Sequence, residues 1–69
     1  MTNKQIPNNL RECRKKAGLT KQEVAKQMGF KNYDRLSRWE NGLAFPHILN
    51  GLDLARIYGV TVEELYGEF

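Results

Sequence analysis

The chain of 69 residues has little of several things, and each shortage excludes a class of protein. With one cysteine, Cys13, it cannot hold an internal disulfide framework, which fits the reducing cytosol. No apolar run approaches the roughly 20 residues of a membrane span, and the first residues lack the apolar segment of a signal peptide. We therefore expect one small, soluble, cytoplasmic domain with no membrane partner.

Side chains that carry catalysis or hold cofactors are equally scarce. His47 is the only histidine and has no second metal-type ligand near it in the sequence. A glycine-rich phosphate loop and a nucleophile with an adjacent base are both missing. We therefore expect no enzyme, no cofactor, no metal and no small-molecule ligand.

Positive charge is concentrated in the first part of the chain. Residues 1–42 carry ten Lys or Arg against four Asp or Glu, a net charge of +6. Residues 43–69 carry one against four, a net charge of −3. A basic surface often means only good solvation, but this uneven distribution favours a polyanion as the partner of the basic end.

Capping signals and apolar periodicity predict five helices and no strand. Thr20 with Glu23, and Thr61 with Glu64, have the spacing of capping boxes, which start helices. The helices are expected to run from Pro7 and Asn8 to about Ala17, from Thr20 to Gly29, over about 32–41 with Asn32 as cap, from Pro46 to Tyr58, and from Thr61 past Leu65. Gly51 in the fourth helix is expected to destabilise it by about 1 kcal/mol relative to alanine, unless a close contact needs it.

The predicted third helix has two different faces. Leu36 and Trp39 form an apolar face. The other face carries side chains that donate or accept hydrogen bonds, namely Tyr33, Asp34, Arg35, Ser37 and Arg38. Helices this short are not stable alone in water, so the stretch from Thr20 to Gly42 needs the other helices as a scaffold.

An ordered set of fragments over about residues 8–66 resembles one protein family. Those fragments are Gly-Leu-Thr-Lys-Gln-Glu-Val-Ala at 18–25, Met-Gly-Phe at 28–30, Leu-Ser-Arg-Trp-Glu-Asn-Gly at 36–42, Pro46, and Leu-Ala-Arg-Ile-Tyr-Gly-Val-Thr-Val-Glu-Glu-Leu at 54–65. They look like the phage repressor and Cro type of helix-turn-helix domain, also called the XRE family. The resemblance implies an all-α, compact five-helix, lambda-repressor-like domain. We assign this domain to residues 8–69, after an N-terminus of residues 1–7 that its polar composition predicts to be flexible. It also implies a transcriptional regulator, repressor-like, that binds a double-stranded DNA operator as a homodimer through helices 2 and 3.

The resemblance assigns base-reading positions on helix 3 to Tyr33, Asp34 and Arg38. Arg38 can donate two hydrogen bonds to guanine, and Asp34 can accept one from cytosine. Asp34 has an alternative role, because the helix dipole favours a carboxylate in the first turn. The turn before helix 3 is one residue longer than the usual family pattern, so the register over residues 32–35 stays open.

Further residues are expected to contact the DNA backbone or lie at the rim of the interface: Lys21, Gln22, Lys31, Asn32, Arg35, Ser37 and Asn41. The N-terminus of helix 2 is a ready site for a phosphate, which is the role given to Lys21 and Gln22. The family often has glutamine where Lys21 stands, which makes Lys21 a backbone contact rather than a base reader.

The remaining candidates are scaffold or interface residues. Leu36 and Trp39 are expected in the core, and Arg14 and Glu40 match a family pair that links helix 1 to helix 3. The homodimer contact is expected to involve apolar residues near the acidic end: Leu49, Val62, Tyr66 and Phe69.

Two functions of other classes stay open. The alternative to DNA binding is a protein-binding adaptor or antitoxin module with the same fold, because fold alone does not determine function. RNA binding has less in its favour, since no aromatic platform for single strands is apparent. DNA binding predicts an affinity that falls steeply with salt, whereas an adaptor would keep its partner.

Overall fold

The computed structural model describes residues 6–67 and contains, in that range, five α-helices and no strand. They are α1 (Leu10–Lys16), α2 (Lys21–Gln27), α3 (Asp34–Glu40), α4 (Ile48–Tyr58) and α5 (Val62–Tyr66). The predicted number and kind of elements are confirmed. Over the same range, none of the helices is long and apolar enough to cross a membrane.

Both predicted capping boxes are confirmed. The Thr20 hydroxyl accepts a hydrogen bond from the Glu23 amide at 3.1 Å, and the Glu23 carboxylate accepts one from the Thr20 amide at 2.8 Å. Thr61 and Glu64 make the same two bonds at the start of α5. Gly29, just after α2, has a φ of +80°, which a residue with a side chain rarely adopts. These local signals set the ends of α2 without help from the rest of the fold.

The third helix begins later than predicted. Asn32 was expected to cap it, but the Asn32 carboxamide oxygen accepts from the Asp34 amide at 3.0 Å and forms a turn before the helix. Tyr33 therefore occupies the N-cap position, and α3 covers Asp34–Glu40 instead of about 32–41.

The first and fourth helices also begin later than predicted, for the same physical reason. The Asn8 side chain accepts from the Leu10 amide, so α1 starts at Leu10. The His47 imidazole accepts from the Leu49 amide at 3.2 Å, which makes His47 the N-cap of α4 and leaves Pro46 outside the helix. In each case a polar side chain bonds a backbone amide two residues ahead: Asn8 does so just before the N-cap of α1, and His47 does so as the N-cap of α4.

The core lies where the five helices meet, and each helix contributes one fully buried side chain. These are Leu10, Val24, Leu36, Leu54 and Leu65, each at most 1% exposed. Burying a side chain of this size contributes about 1.5–3 kcal/mol. A single short helix has no hydrophobic core of its own. The positions of the five helices relative to one another therefore depend on this shared cluster.

Gly51 lies inside α4 without a packing reason. It has an ordinary helical backbone, and a Cβ added there would meet nothing within 4 Å. A close contact therefore does not explain why this position is a glycine.

The residues expected in the dimer contact are exposed to different degrees. Val62 and Tyr66 are half-buried and pack against the core, and the Tyr66 ring lies 5.4 Å from that of Phe45. The Asn9 amide donates to the Leu65 carbonyl at 2.7 Å, which ties α5 to the start of α1. Leu49 is 63% exposed, as expected, and Phe69 lies outside the described residues.

Large apolar side chains are exposed elsewhere, in the loop before α4 and along one side of that helix. They are Leu43, Phe45, Ile48, Leu49 and Leu52. All five fall within residues 43–52, a stretch that contains no Asp, Glu, Lys or Arg. Leu49, which was predicted for the dimer contact, belongs to this uncharged apolar surface.

Candidate nucleic-acid interface

The inner face of α3 is anchored in the protein. Leu36 is 1% exposed and Trp39 is 5% exposed, and the Trp39 ring meets Phe30 edge to face at 6.0 Å. The side-chain amide of Asn8 donates to the Trp39 carbonyl at 3.1 Å and to the Glu40 carbonyl at 3.4 Å, both in the last turn of α3. The helix is therefore fixed both along its length and at its C-terminal end.

The ion pair expected between Arg14 and Glu40 is present. The Arg14 guanidinium donates to both carboxylate oxygens of Glu40, at 2.7 and 3.3 Å, and a third nitrogen donates to the Leu19 carbonyl at 2.9 Å. The hydrogen bond to Glu40 raises the pKa of Arg14 above its ordinary value. Because the Glu40 side chain is only 2% exposed, this is a buried, two-pronged contact between α1 and α3.

A second arginine joins this pair, and sequence reasoning missed it. Arg11 has its Nε 3.6 Å from a Glu40 carboxylate oxygen and donates from Nη2 to the Asn41 side chain at 3.3 Å. The signal that would have found it is the spacing of three residues from Arg14, which places both on one side of α1. Asn41, expected at the DNA backbone, is thus also held by the protein.

Tyr58 is a buried neighbour of this pair, 7% exposed. Burial raises the pKa of Tyr58 well above its ordinary value, the Glu40 carboxylate adds to that rise, and the Arg14 charge opposes it. The Tyr58 hydroxyl has no hydrogen-bond partner among residues 6–67. The side chains of Arg14 and Glu40 are themselves only 11% and 2% exposed.

The outer face of α3 is free. Asp34 and Arg38 are exposed and lie one helical turn apart, and neither side chain makes a hydrogen bond or ion pair within the described part of the chain. Tyr33, at the N-cap, is 42% exposed beside them. The three residues predicted to read bases thus share one open surface.

Lys21 also reaches this surface, from α2. Its ammonium donates to the Ser37 hydroxyl at 3.1 Å and lies 5.0 Å from the centre of the Tyr33 ring. Lys21 and Ser37, both expected at the backbone or rim, are therefore brought together with a predicted base reader.

Comparison with known proteins gives the family of this fold. Residues 10–65 match the family model described as Helix-turn-helix. The chain belongs to the XRE, Cro/CI-type helix-turn-helix family. No curated protein and no solved structure was found to match it. The predicted family and lambda-repressor-like fold are confirmed, and the family is a DNA-binding, non-enzymatic one.

Basic side chains lie at the turn between α2 and α3. The Arg35 guanidinium lies 4.8 Å from the centre of the Phe30 ring, so its charge is turned toward the turn rather than the outer face of α3. Lys31 and Asn32 are exposed next to it, and Gln22 is exposed on the first turn of α2. The backbone and rim candidates therefore surround the outer face of α3 on the side of the turn.

Proposed function

We propose that this helix-turn-helix protein is a sequence-specific, double-stranded DNA-binding transcriptional regulator of the repressor-like kind, with α3 as the reading helix. One observation carries the proposal. The inner side of α3 is fully engaged with the protein, while Asp34 and Arg38 on its outer side are exposed without a protein partner in the described chain. Polar side chains presented in this way by a rigid helix match what groove recognition requires.

The dimensions and chemistry of the outer face suit the major groove. A helix with its side chains is about 10–12 Å across, and the major groove is about 12 Å wide. Arg38 donates two parallel hydrogen bonds that fit guanine O6 and N7, and Asp34 accepts one from the cytosine amino group. These two side chains supply opposite recognition chemistry one helical turn apart.

The backbone contacts in this proposal come from the surrounding flank. Gln22, Lys31, Asn32 and Arg35 are exposed around the turn, and residues 1–42 carry a net charge of +6. Phosphate contacts fix the register of a protein on the duplex without reading its sequence. Binding should therefore weaken steeply as salt is raised, because released counterions drive it.

Selection of bound duplexes from a random pool tests the proposal. The native chain should enrich one motif that contains guanine, and Arg38→Ala should lose the preference for one guanine. Lys15→Ala removes the same charge from an exposed position on α1 and should keep the motif. Enrichment of no motif by the native chain would reject DNA reading and favour the adaptor or antitoxin alternative.

We also propose a homodimer, with Leu49 in the contact as the sequence indicated. Its exposed neighbours Phe45, Ile48 and Leu52 extend the apolar area around it. In a two-fold contact every charge near the axis faces its own copy, so the absence of charge over residues 43–52 suits self-association. Two copies would then place their reading helices on half-sites about 34 Å apart.

Sedimentation with and without operator-length duplex tests the dimer. The native chain should bind the duplex as a dimer, and Leu49→Lys should bind a half-site normally but lose the dimer. Gln27→Lys adds the same charge to an exposed position on α2 and should leave the dimer intact. A native chain that stays monomeric both free and on the duplex contradicts this part of the proposal.

A further inference from the structure

Interactions within α2 do not explain why a lysine stands at position 21. Lys21 is the first residue of α2. A positive charge at a helix N-terminus is unfavourable with the helix dipole, and the capping of α2 is already complete through Thr20 and Glu23. Its ammonium bonds no group of α2 and reaches across to α3 instead. A role outside α2 therefore has to account for it.

The Lys21 ammonium lies on the surface of α3. Its Nζ is 3.1 Å from the Ser37 hydroxyl oxygen and 5.0 Å from the centre of the Tyr33 ring. Tyr33 and Ser37 are four residues apart, so they lie on the same side of α3 and flank the ammonium along the helix axis. That side adjoins the face of Asp34 and Arg38. The Lys21 ammonium, although its residue belongs to α2, therefore adds its positive charge to the outer face of α3.

The hydrogen-bonding capacity of this arrangement points to a base edge. An ammonium has three N–H donors, and Ser37 accepts from one of them. Two donors remain, which match the two acceptors, O6 and N7, that guanine shows in the major groove. We propose that Lys21 reads a guanine as part of the α3 surface, and that Ser37 and Tyr33 are positioning residues that hold its ammonium. This inference rests on the proposed function and changes the expected role of Lys21 from backbone contact to base reader.

Holding the ammonium in place is what separates this role from a phosphate contact. A free lysine side chain has about 2 kcal/mol of rotamer entropy to lose, and a phosphate accepts a point charge from many directions. Lys21 has already given up part of that freedom through Ser37 and Tyr33. Such preorganisation favours an acceptor with a fixed geometry, which a base edge has and a solvated phosphate lacks.

Duplex selection with the full chain, followed by affinity measurements on single-base variants of the motif, tests the proposal. Lys21→Met should lose, by about tenfold or more, the preference for one guanine, at a base pair different from the one lost in Arg38→Ala. Ser37→Ala should weaken the preference at the same guanine as Lys21→Met, and should have no further effect there in the Lys21→Met background. Lys26→Met removes the same charge from an exposed position on α2 and should leave every preference unchanged.

Two outcomes overturn the inference while leaving DNA binding in place. If Lys21→Met binds all sequences more weakly by one factor, with a smaller salt dependence, Lys21 contacts a phosphate. If Ser37→Ala and Lys21→Met act additively, Ser37 does not position Lys21. A native chain that enriches no motif overturns the proposed function itself and this inference with it. Thermal unfolding of each variant, expected within a few degrees of the native chain, separates these results from misfolding.

Discussion

The two faces of α3 lie on opposite sides of one seven-residue helix and differ in almost every respect. On the inner face Leu36 and Trp39 are buried, and the Glu40 carboxylate is paired with Arg14 at 2.7 Å. On the outer face Asp34 and Arg38 are exposed, and their side chains make no hydrogen bond or ion pair within residues 6–67. A seven-residue helix has too few internal hydrogen bonds to be stable alone, so contacts of the inner face must supply its stability.

This division separates stability from recognition within one short helix. Solvated side chains on an outer face contribute little to folding, and their replacement usually changes the free energy of unfolding by less than about 0.5 kcal/mol. Buried, paired groups on the inner face contribute much more when one partner is lost. The outer face is therefore open to variation in sequence preference without loss of the fold.

The largest effect is expected from a comparison of two Arg→Met substitutions, one in the buried contact with the inner face of α3 and one on its exposed outer face. Arg14→Met should lower the free energy of unfolding by about 3 kcal/mol, because it leaves the buried Glu40 carboxylate with only the half-exposed Arg11 nearby. Arg38→Met should change it by less than about 0.5 kcal/mol. Urea unfolding followed by circular dichroism measures both, and similar losses in the two variants would contradict the division.

Asp34→Asn resolves the two roles that are open for the acidic residue of the outer face. We expect discrimination at one cytosine-containing base pair to fall by about 1–3 kcal/mol, because the amide no longer only accepts hydrogen bonds. The measurement is duplex affinity on the selected motif and its single-base variants. Unchanged discrimination, together with a loss of unfolding free energy, would assign Asp34 to the helix dipole alone.

A smaller effect is expected at the start of α2, which supports the inner face. Thr20→Ala removes the hydroxyl that accepts from the Glu23 amide and should lower the free energy of unfolding by about 1 kcal/mol. Thr20→Ser keeps the hydroxyl and is the matched control. Equal losses in the two variants would mean that the methyl group, and not the cap, matters here.

The same cap predicts a dependence on pH. Hydrogen bonds from the Thr20 amide, and then from its hydroxyl, lower the pKa of Glu23 below its ordinary value of 4.5. Because the pKa of Glu23 is lower in the folded state, the ionised carboxylate stabilises the fold. This contribution to the free energy of unfolding is complete above pH 4.5 and is lost as the pH falls through the folded-state pKa. In Glu23→Gln, stability should decline less steeply over that range, and an identical decline in both proteins would exclude Glu23 as the cause.

The smallest effect is a gain, at a position remote from both faces of α3. Gly51→Ala should raise the free energy of unfolding by up to about 1 kcal/mol, because the space for a Cβ is open and alanine is the better helix former. Gly59→Ala is the contrasting variant and should destabilise, since Gly59 has a φ of +71°. Thermal unfolding measures both, and a loss in Gly51→Ala would show that α4 needs the glycine.

Much of the fold was predictable because its signals are local. The capping boxes at Thr20 and Thr61 act within four residues, so they fix the starts of α2 and α5 from sequence alone. The starts of α1, α3 and α4 were wrong by about two residues. Asn8 and Asn32 bond amides two positions ahead and form a turn before the helix, and His47, not Pro46, lies at the start of α4 as its N-cap. An Asn side chain can bond an amide in a turn before a helix or can cap the helix itself, and the sequence pattern alone did not distinguish the two arrangements.

The candidate site was predictable in composition and less so in arrangement. The apolar spacing of Leu36 and Trp39 already placed Asp34 and Arg38 on the opposite face of α3. The contact of Lys21 with Ser37 spans 16 residues and depends on how α2 packs against α3. The covering of Val62 and Tyr66, and the exposure of Leu43 and Phe45, depend on where α5 and the loop before α4 come to lie.

By itself, the sequence determined the number of helices, the caps that begin α2 and α5, the uneven charge and which side of α3 is polar, since each follows from residues within one or two turns of one another. Only the tertiary structure decided that Arg11 joins Arg14 at Glu40, that Lys21 lies on α3, and which apolar side chains stay exposed. Contacts of this second kind join residues far apart in the chain, and their geometry exists only once the five helices share a core.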